Sequence, residues 1–346
     1  MSRTAVVLFN LGGPDRPEAV RPFLFNLFND PAIIGLPGFV RTYLAGVIAA
    51  RREREAKAIY ARIGGRSPIL DETWAQAHAL QAALGEGHRV LPCMRYWHPM
   101  SDEVAGQVAD WRPDRIVLLP LYPQYSTTTS ASSLRDWRRA ARQAGLAVPT
   151  AAVCCYPAMP GLVAAHAEAL RAALARTRPG KARVLFSAHG LPEKVIARGD
   201  PYQWQVERTA AAVVEALGVP DLDWVVCYQS RVGPLKWIGP PTEAEIARAG
   251  QDGRDVVLTP IAFVSEHSET LVELDITYAE TAKAAGVATY VRVPALGTAP
   301  AFIAALADLV RAARAEPGVR SASGGRLCPA ACRRCGLAEV TAGAGA

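Results

Sequence analysis

The chain has 346 residues, of which 50% are apolar and 20% are charged, and its formal net charge is +6. This length suits two domains of ordinary size, and the apolar fraction excludes an intrinsically disordered protein. The arginines are spread along the chain, which argues against nucleic-acid binding and favours an acidic small molecule or an anionic membrane surface as partner.

The N-terminus runs directly into a short apolar segment, Ala5 to Asn10, which lacks the length and the cleavage site of a signal peptide. No run of about 18 apolar residues occurs anywhere, so the sequence predicts no transmembrane helix. The seven cysteines are an odd number and argue against a secreted disulfide framework. Together these features predict a cytoplasmic protein.

Short apolar segments alternate with longer amphipathic segments, which is typical of an α/β protein with parallel sheets. The predicted strands are Ala5–Asn10, Arg89–Met94, Arg115–Leu121, Thr150–Cys155, Ala182–Ser187, Trp224–Gln229, Asp255–Ile261 and Ala288–Val293. Helices are predicted between them, among them Thr73–Leu84, Gly161–Arg176, Trp204–Leu217 and Ala299–Arg314.

The last four predicted strands resemble the first four in sequence and in order. Val6–Asn10 leads into Gly12-Gly13-Pro14, as Arg183–Ser187 leads into Gly190-Leu191-Pro192. The pattern predicts two similar α/β halves, although any two α/β domains share some of it. Helical sequence ends at a Pro-Gly pair near 177–181, which predicts an N-terminal domain 1–178, a C-terminal domain 179–314 and an extension 315–346.

His189 follows the first predicted strand of the second half, immediately before Gly190. Ligands of open α/β sheets bind beyond the carboxyl ends of the strands, so His189 is placed to face a cleft. Its imidazole titrates near neutral pH and could take a proton or bind a metal. An isolated histidine is more often satisfied by local backbone hydrogen bonds, so this segment alone does not identify a site.

Acidic residues follow the third predicted strand of the second half. Ser265 is a candidate helix N-cap, and acids in a first helical turn suit the helix dipole, which explains Glu266 and Glu269 but not Glu273. Spacings of three and four would place these three carboxylates on one helical face, where like charges repel. We therefore expect a positive group nearby, either a divalent cation or protons in transit. Carboxylates with His267 suit Fe²⁺, although the spacing does not select that metal.

Four further segments combine aromatic surface with a cation, a hydroxyl or an amide. Such surfaces suit a flat apolar ligand that bears carboxylates, although aromatic residues beside prolines are more often only packed together. The four segments are Tyr60–Pro68, Arg95–Pro99, Tyr122–Ser126, and Gln229–Pro234 with Trp237.

Several of these strings closely resemble ferrochelatases, enzymes that insert Fe²⁺ into a porphyrin. The long ones are FSAHGLPEKVIARGDPY at 186–202, YQSRVGPLKWIGPPT at 228–242 and PIAFVSEHSETLVELDITY at 260–278. The short ones are NLGGP at 10–14, YARIGGRSPI at 60–69 and YPQYS at 122–126. The resemblance runs in order from about residue 6 to about residue 309, and matching strings of this length are highly specific.

The resemblance implies two similar Rossmann-like α/β domains with parallel sheets, the chelatase fold, which enclose a porphyrin cleft. It implies that His189 accepts the pyrrole N–H protons or lies on the path of the metal, with Glu269 as its acidic partner across the macrocycle. Both residues would contact Fe²⁺ transiently. Glu266, His267 and Glu273 match a polar channel behind them, which would deliver iron or carry protons away.

The same resemblance implies how the porphyrin is held. By position, Arg52 and Ser67 match residues that hold the porphyrin carboxylates. Leu11 stands where coproporphyrin-type members carry tyrosine, which favours protoporphyrin IX as substrate and protohaem as product. A rigid pocket could bend the ring so that the nitrogen lone pairs project. The residues expected to contact the substrate are Leu11, Arg52, Tyr60, Ser67, Arg95, Tyr96, Tyr122, Ser230, Trp237 and Phe263.

The stretch Phe23–Ile48 is rich in apolar residues but is interrupted by prolines and glycines. By itself it predicts a buried helix–loop–helix. In ferrochelatases this region forms an apolar lip that can rest on a membrane, and Arg41, Arg51, Arg52 and Arg54 would meet anionic lipid there. The resemblance therefore implies peripheral membrane contact through residues of about 23–48.

Cys328, Cys332 and Cys335 form a C-x₃-C-x₂-C pattern in a Gly- and Arg-rich tail with little to pack against. The pattern suggests metal ligation, by zinc or by an iron–sulfur cluster, with Cys154 or Cys155 as fourth ligand. Many ferrochelatases carry a C-terminal [2Fe–2S] cluster, so the resemblance favours that cofactor in a structural or sensory role. The spacing differs from that of the animal enzymes. Beyond the cysteines, the chain is predicted to be disordered.

Two alternative functions fit part of the pattern. One is a chelatase for coproporphyrin III, another tetrapyrrole or another metal, and the other is a non-catalytic porphyrin or haem carrier that uses the same cleft. The sequence predicts no nucleic-acid partner, and it indicates no particular oligomeric state.

Overall fold

The computed structural model describes residues 2–231 and 235–338 of the chain. It divides into two compact units. The first comprises the chain up to Cys155, Leu306–Leu327 and the chain from Gly336, and the second comprises Tyr156–Ala305 and Cys328–Cys335.

Strands and helices alternate along the first unit, and its sheet is entirely parallel. Its elements are β1 (Thr4–Asn10), α1 (Val20–Phe28), α2 (Gly38–Ala61), α3 (Ile69–Leu84), β2 (His88–Met94), α4 (Ser101–Trp111), β3 (Arg115–Pro120), α5 (Ser130–Gln143), β4 (Thr150–Cys155) and β9 (Gly318–Ser321). The strand order is β2-β1-β3-β4-β9. Strand β1 is buried along its whole length, as expected for a parallel strand covered on both faces by helices.

The second unit repeats this pattern with a four-stranded parallel sheet of order β6-β5-β7-β8. Its elements are α6 (Pro160–Leu174), β5 (Ala182–His189), α7 (Glu193–Ala197), α8 (Tyr202–Leu217), β6 (Asp223–Gln229), α9 (Thr242–Gln251), β7 (Asp255–Pro260), a π-helix (Glu269–Thr277), α10 (Tyr278–Ala284), β8 (Tyr290–Arg292) and α11 (Pro300–Ala313), in which the boundary between the units falls. The order of its strands matches that of β2-β1-β3-β4. The predicted α/β class with two similar parallel sheets is therefore confirmed.

The division between the units differs from the expected boundary at residues 178 and 179. Helix α6 belongs to the second unit because its apolar face packs against α8. Val163 and Leu170 of α6 share one core cluster with Val206 and Val213 of α8. A turn of composition Pro-Gly after α6 marks the end of a helix, but packing decides to which unit the helix belongs.

The C-terminal extension is more ordered than the sequence suggested. Strand β9 pairs in parallel with β4 and becomes the fifth strand of the first sheet. Leu327 and Leu337 then pack against Cys154 and Cys155 at the end of β4. Residues 339–346, at the end predicted to be disordered, lie outside the described part of the chain.

Among the helices of residues 2–231 and 235–338, none combines the length and the apolar composition that crossing a membrane would require.

Candidate active site

His189 is the last residue of β5, the central strand at which the strand order of the second sheet reverses. The connection from β5 leads to β6 on one side, and the next connection crosses to β7 on the other. Ligands of open α/β sheets bind outside the carboxyl ends of the strands at such a reversal. The exit from β7 continues into the π-helix, so this edge of the sheet brings together the two segments that the sequence singled out.

The imidazole of His189 contacts the carboxylate of Glu269, the first residue of the π-helix, with 3.0 Å between Nδ1 and Oε2. Burial alone would lower the pKa of His189, but the charge and the hydrogen bond of Glu269, together with the charge of Glu273, raise that pKa overall. Burial would likewise raise the pKa of Glu269, but the charge and hydrogen bond of His189, assisted by His267, hold it well below its usual range. Both shifts favour an imidazolium–carboxylate pair.

The helix after β7 does not begin at Ser265, as the sequence predicted. The π-helix starts at Glu269, and Glu266 and His267 lie in the irregular segment before it. A π-helix is closed by i→i+5 hydrogen bonds and is often found at functional sites. The expected face of three stacked carboxylates is therefore wrong, since only Glu269 and Glu273 belong to the helix.

Glu273 is bound by Ser230, the residue that follows β6. The Ser230 backbone N–H donates to Oε1 at 2.9 Å, and its hydroxyl donates to Oε2 at 2.5 Å. Ser230 adopts a positive φ of 58°, a region that residues other than glycine seldom occupy, and this turn directs both donors at the carboxylate. The Tyr278 hydroxyl also donates to Oε1, at 2.9 Å. Burial, reinforced by the charge of Glu269, nevertheless raises the pKa of Glu273.

The two acids of the π-helix therefore differ in protonation behaviour. The pKa of Glu269 is lowered and that of Glu273 is raised, although both lie on one helix. The hydroxyl of Ser230 lies 2.5 Å from Glu273 and 3.5 Å from Glu269. Pairs of acids whose environments separate their pKa values are suited to proton transfer, because one can hold a proton while the other stays charged.

Glu266 is paired with an arginine. The Arg292 guanidinium, which is only 10% exposed, donates to Glu266 at 2.5 Å and to Asp275 at 2.5 Å. The Ala295 N–H also donates to Glu266, at 2.9 Å. Burial opposes ionisation, but these bonds and the charge of Arg292 keep the pKa of Glu266 below its usual value. The positive group that the sequence called for is thus a side chain of β8.

His267 is buried beside Glu269. Its Nδ1 lies 3.2 Å from the backbone oxygen of Ser265, and its Nε2 lies 3.9 Å from Glu269 Oε2. The ring of Phe263 packs edge-on against it, with 4.6 Å between ring centroids. These contacts fix the orientation of the imidazole that borders the His189–Glu269 pair.

Trp237 lies close to the segment that follows His189. A Cβ atom added to Gly190 would lie 3.0 Å from the Gln229 oxygen and 3.4 Å from the Trp237 ring. The backbone of Trp237 forms an antiparallel bridge with Pro192. Gly190 therefore permits the close approach of these two segments, while Val232, Gly233 and Pro234 of the same predicted motif lie outside the described residues.

Apart from Ser67, which lies between α2 and α3, the predicted substrate residues of the first unit lie after β1, β2 and β3 and on α2. The hydroxyl of Tyr96 donates to Asp30 at 2.9 Å, and Arg95 forms an ion pair with Asp30 at 2.9 Å. Tyr60 and Tyr96 are buried in one apolar cluster, against which Leu11 packs. Burial raises the pKa of Tyr122, and the charge of Arg95 offsets part of that rise.

Arg52 and Ser67, the expected carboxylate-binding residues, differ in environment. Arg52 lies on α2 with a partly exposed guanidinium, 4.0 Å from Glu55. Ser67 is buried, its N–H donates to the Pro14 oxygen at 2.8 Å, and its hydroxyl accepts from the N–H of Ile69 at 3.4 Å. Arg52 is therefore open to a ligand, whereas Ser67 would reach one only through its backbone turn or a small shift.

The tail cysteines fold inward, but they do not form a recognisable metal site. Cys328 and Cys335 are buried, and the Gln205 amide donates to Cys328 Sγ at 3.1 Å. Within the described ranges, no group of three or more His, Cys, Asp or Glu residues is arranged to hold a metal ion. Their thiols are nonetheless of the chemical type that binds an iron–sulfur cluster.

Three contributors to these networks were not predicted from the sequence. Tyr278 bonds to Glu273, Arg292 neutralises Glu266, and Asp30 anchors Arg95 and Tyr96. Tyr278 is the last residue of the segment 260–278 that resembles ferrochelatases, so that resemblance could have pointed to it. The partners of Arg292 and Asp30 are far away in sequence, and spacing alone could not have indicated them.

A protein-family model described as Ferrochelatase matches residues 3–314 of the chain. The ferrochelatase of Caulobacter vibrioides (strain NA1000 / CB15N) is 56% identical over 344 residues, which cover 97% of this chain and 98% of that protein. The ferrochelatase of Phenylobacterium zucineum (strain HLK1) is 55% identical over 340 residues, covering 96% and 97%. Among solved structures, SirB from Bacillus subtilis with Fe³⁺ is similar in fold, with a TM-score of 0.53 at 13% identity, covering 90% of this chain and 95% of that chain.

Proposed function

The chain belongs to the ferrochelatase family and is a metal chelatase, and on that premise we propose that it inserts Fe²⁺ into protoporphyrin IX to form protohaem. The observation that carries the proposal is the His189–Glu269 pair at the strand-order reversal of the second sheet. Iron is a substrate in this reaction and no electron is transferred, so the demands on the site are to deform a planar ring and to remove two protons.

His189 is the proton acceptor in this proposal. Its Nδ1 is engaged by Glu269, which leaves Nε2 as the ring nitrogen that takes a proton from a pyrrole N–H. Glu269 stays ionised and stabilises the imidazolium that forms, as its lowered pKa supports. Both residues would also contact Fe²⁺ in transit, since imidazole and carboxylate are suitable ligands for that ion.

Glu273 receives protons behind this pair. Its pKa is raised, so it binds a proton more readily than an ordinary glutamate does, and the Ser230 hydroxyl lies within reach of both acids. Metallation releases two protons for each Fe²⁺ inserted, and His189 can hold only one of them. A second group that can be protonated is therefore required, and Glu273 supplies it. Glu266 belongs to the same polar region but is tied to Arg292, so its role is to hold the segment in place.

The choice of protoporphyrin IX depends on Leu11, which offers no polar group to a fourth carboxylate. Arg52 is the proposed partner of a porphyrin carboxylate, because a guanidinium binds a carboxylate through two parallel hydrogen bonds and this one is partly exposed. Leu11, Tyr60 and Tyr122 in the first unit, and Trp237 and Phe263 in the second, are the proposed apolar and aromatic contacts of the ring.

One assay tests the central proposal. The full chain is mixed anaerobically with Fe²⁺ and either protoporphyrin IX or coproporphyrin III, and the loss of porphyrin fluorescence is followed. We expect turnover with protoporphyrin IX. Turnover only with coproporphyrin III would reassign the substrate, and turnover only with Co²⁺ would reassign the metal. Binding of porphyrin without turnover with either substrate would identify a carrier and refute the proposal.

We also propose that the lip rests on a membrane surface. In its support, Phe39 and Tyr43 in the first turns of α2 are 82% and 76% exposed, which is high for large apolar side chains. Binding to vesicles of anionic lipid should weaken about tenfold or more in Phe39→Ser, because burial of an aromatic side chain is worth about 1.5–3 kcal/mol. Equal binding of the variant and the unchanged chain would contradict this part of the proposal.

A [2Fe–2S] cluster on Cys328, Cys332 and Cys335 is a further proposal. Its support is the chemistry of three thiols within one short segment, together with the extension that brings Leu327 and Leu337 against Cys154 and Cys155. Cys154 or Cys155 is the proposed fourth ligand. An absorption spectrum of anaerobically purified protein, with iron and sulfide analysis, tests it. Absence of cluster bands together with zinc in the protein would favour the zinc alternative.

A further inference from the structure

Asp30 is a buried carboxylate of the lip and lies two residues after the end of α1. Its side chain is only 1% exposed. Residues 31–37 lead from Asp30 to α2, and we call them the lip segment. In this segment Ile33 and Leu36 are 40% and 43% exposed. Burial of a carboxylate is costly unless its oxygens are fully bonded, so the partners of Asp30 indicate what it holds.

One carboxylate oxygen of Asp30 binds side chains from the segment that follows β2 and from α5. Its Oδ2 accepts from Arg95 Nη2 at 2.9 Å, from the Tyr96 hydroxyl at 2.9 Å and from the Ser132 hydroxyl. Arg95 is further held by its Nε, which donates to Ser132 Oγ at 2.8 Å, and its guanidinium lies 5.0 Å from the centre of the Tyr96 ring. Asp30 is thus the shared acceptor of three side chains that belong to two separate segments.

The other carboxylate oxygen and the backbone oxygen of Asp30 accept hydrogen bonds from the lip segment. Its Oδ1 accepts the Ala32 N–H at 2.8 Å, and its backbone oxygen accepts from Ile33 at 3.0 Å and from Ile34 at 2.9 Å. A single residue therefore links the turn that starts the lip segment to the Arg95–Tyr96 pair. Loss of the Oδ2 bonds would therefore release the Arg95–Tyr96 pair and, at the same time, loosen the turn that starts the lip segment.

This arrangement changes what Arg95 and Tyr96 can offer a ligand. The Tyr96 hydroxyl is already donated to Asp30. The charge of Arg95 is balanced by Asp30 and by Asp136, whose nearest oxygen is 3.7 Å from Arg95 Nη1. Neither polar group is therefore free to be the main binding partner of a porphyrin carboxylate. Arg95 and Tyr96 instead contribute to the shape of the surface that contacts the ligand.

We propose that Asp30 is a positioning residue for porphyrin binding, because its carboxylate holds the Arg95–Tyr96 pair and the lip segment in one arrangement before the substrate arrives. The inference rests on the proposed function, since it assumes a porphyrin as ligand. A surface that is ordered in advance costs less conformational entropy when it binds, so the benefit appears in affinity and not in the chemical step.

Asp30→Asn is the central variant. Asparagine can still accept the Ala32 N–H, but its amide group would face the donors of Arg95, Tyr96 and Ser132. We expect the KM for porphyrin to rise about tenfold while kcat stays within about twofold, as for a loss of binding that is equal in the ground state and the transition state. We also expect faster amide hydrogen exchange in residues 31–37 than in the unchanged chain.

Asp255→Asn is the matched control. Asp255 begins β7, its carboxylate is fully buried and Arg178 binds it at 2.7 Å, so its loss removes a similar buried ion pair outside the lip. This variant should lower the melting temperature and leave both the KM and the exchange of residues 31–37 unchanged. If Asp30→Asn lowers the melting temperature but changes neither quantity, Asp30 is only a structural ion pair and the inference is wrong.

Two milder variants cover the case in which Asp30→Asn does not fold. Tyr96→Phe removes one donor to Asp30, and Ser132→Ala removes one donor to Asp30 and the acceptor of Arg95 Nε. Both variants leave the Asp30–Arg95 ion pair in place, and each should raise the KM about threefold and increase exchange in residues 31–37. An unchanged KM in both would overturn the inference. Porphyrin affinity from fluorescence quenching and hydrogen exchange require no metallation, so they test Asp30 even if the proposed iron insertion fails.

Discussion

Nδ1 of His189 and Oε2 of Glu269 lie 3.0 Å apart, and this contact moves the pKa of each group in the direction that favours an ion pair. His189 ends β5, and Glu269 begins the π-helix that follows β7, 80 positions further along the chain. The parallel sheet brings them together because the carboxyl ends of all its strands lie along one edge. An imidazole in such a pair can take a proton from a neutral donor and keep the resulting charge stabilised.

Replacement of His189 by alanine should abolish metallation without abolishing porphyrin binding. Removal of a general base typically costs 10²- to 10⁴-fold in rate, so we expect kcat to fall by about that range. Porphyrin affinity, measured by fluorescence quenching, should change less than about threefold, since the imidazole contributes mainly to the chemical step. His78→Ala, on an exposed position of α3, is the control and should keep full activity. Undiminished metallation in His189→Ala would rule out the assigned role.

Glu269→Gln should move the pH dependence of metallation to lower pH while it lowers the maximal rate. His189 must be neutral to accept a proton, and Glu269 raises its pKa, so activity in the unchanged chain rises as the pH increases through that raised pKa. Without the carboxylate, burial dominates and lowers the pKa of His189, and the acidic limb of the profile shifts downward. A profile of kcat/KM against pH measures this shift. An acidic limb at the same pH as in the unchanged chain would show that another group controls it.

Arg292→Met should destabilise the second unit. Its guanidinium neutralises Glu266 and Asp275 and is only 10% exposed, so its loss leaves partly buried carboxylates without a counter-charge. Removal of one partner of a buried pair costs about 3–5 kcal/mol. Arg311→Met removes an exposed pair with Asp308 and should cost less than about 1 kcal/mol. Chemical denaturation measures both, and equal losses in the two variants would contradict the structural role of Arg292.

Gly13→Ala should disturb the site of Ser67. A Cβ atom at Gly13 would lie 2.6 Å from Ser67 Cβ, so one of the two segments must move. Overpacking of this kind costs about 1–3 kcal/mol, and the displaced Ser67 should raise the KM for porphyrin. Gly46→Ala in α2 meets no atom within 4 Å and should be neutral or stabilising by up to about 1 kcal/mol. If both alanine variants had the same stability and KM, the close packing of Gly13 would have no functional consequence.

The class of fold and the place of the site could be predicted from local patterns. Apolar segments of strand length that alternate with amphipathic segments require a parallel sheet covered by helices, and the repeated order predicts two such sheets. His189 could be assigned to a ligand-binding edge because it follows a buried strand. Such predictions depend on residues that are close together in the chain, because periodicity and turn composition directly determine which local elements form there.

The partners of the charged groups could not be predicted in this way. The sequence called for a cation beside Glu266, but only the tertiary structure decided that it is Arg292, 26 residues away on β8. Asp30 and Tyr96 are 66 positions apart and likewise meet only in the folded chain. The start of the π-helix at Glu269 was missed for a related reason, since helical spacing does not reveal where tertiary contacts hold the backbone in a wider turn.

For the His189 and Glu269 segments, the sequence by itself determined that two polar strand exits exist and that they resemble those of one enzyme family. Only the tertiary structure decided that Glu269 is the charged partner of His189, that Glu273 is the acid with the raised pKa and that Glu266 is neutralised by Arg292. The physical reason is that a carboxylate's pKa depends on burial and on charges within a few ångströms, and those neighbours come from distant parts of the chain.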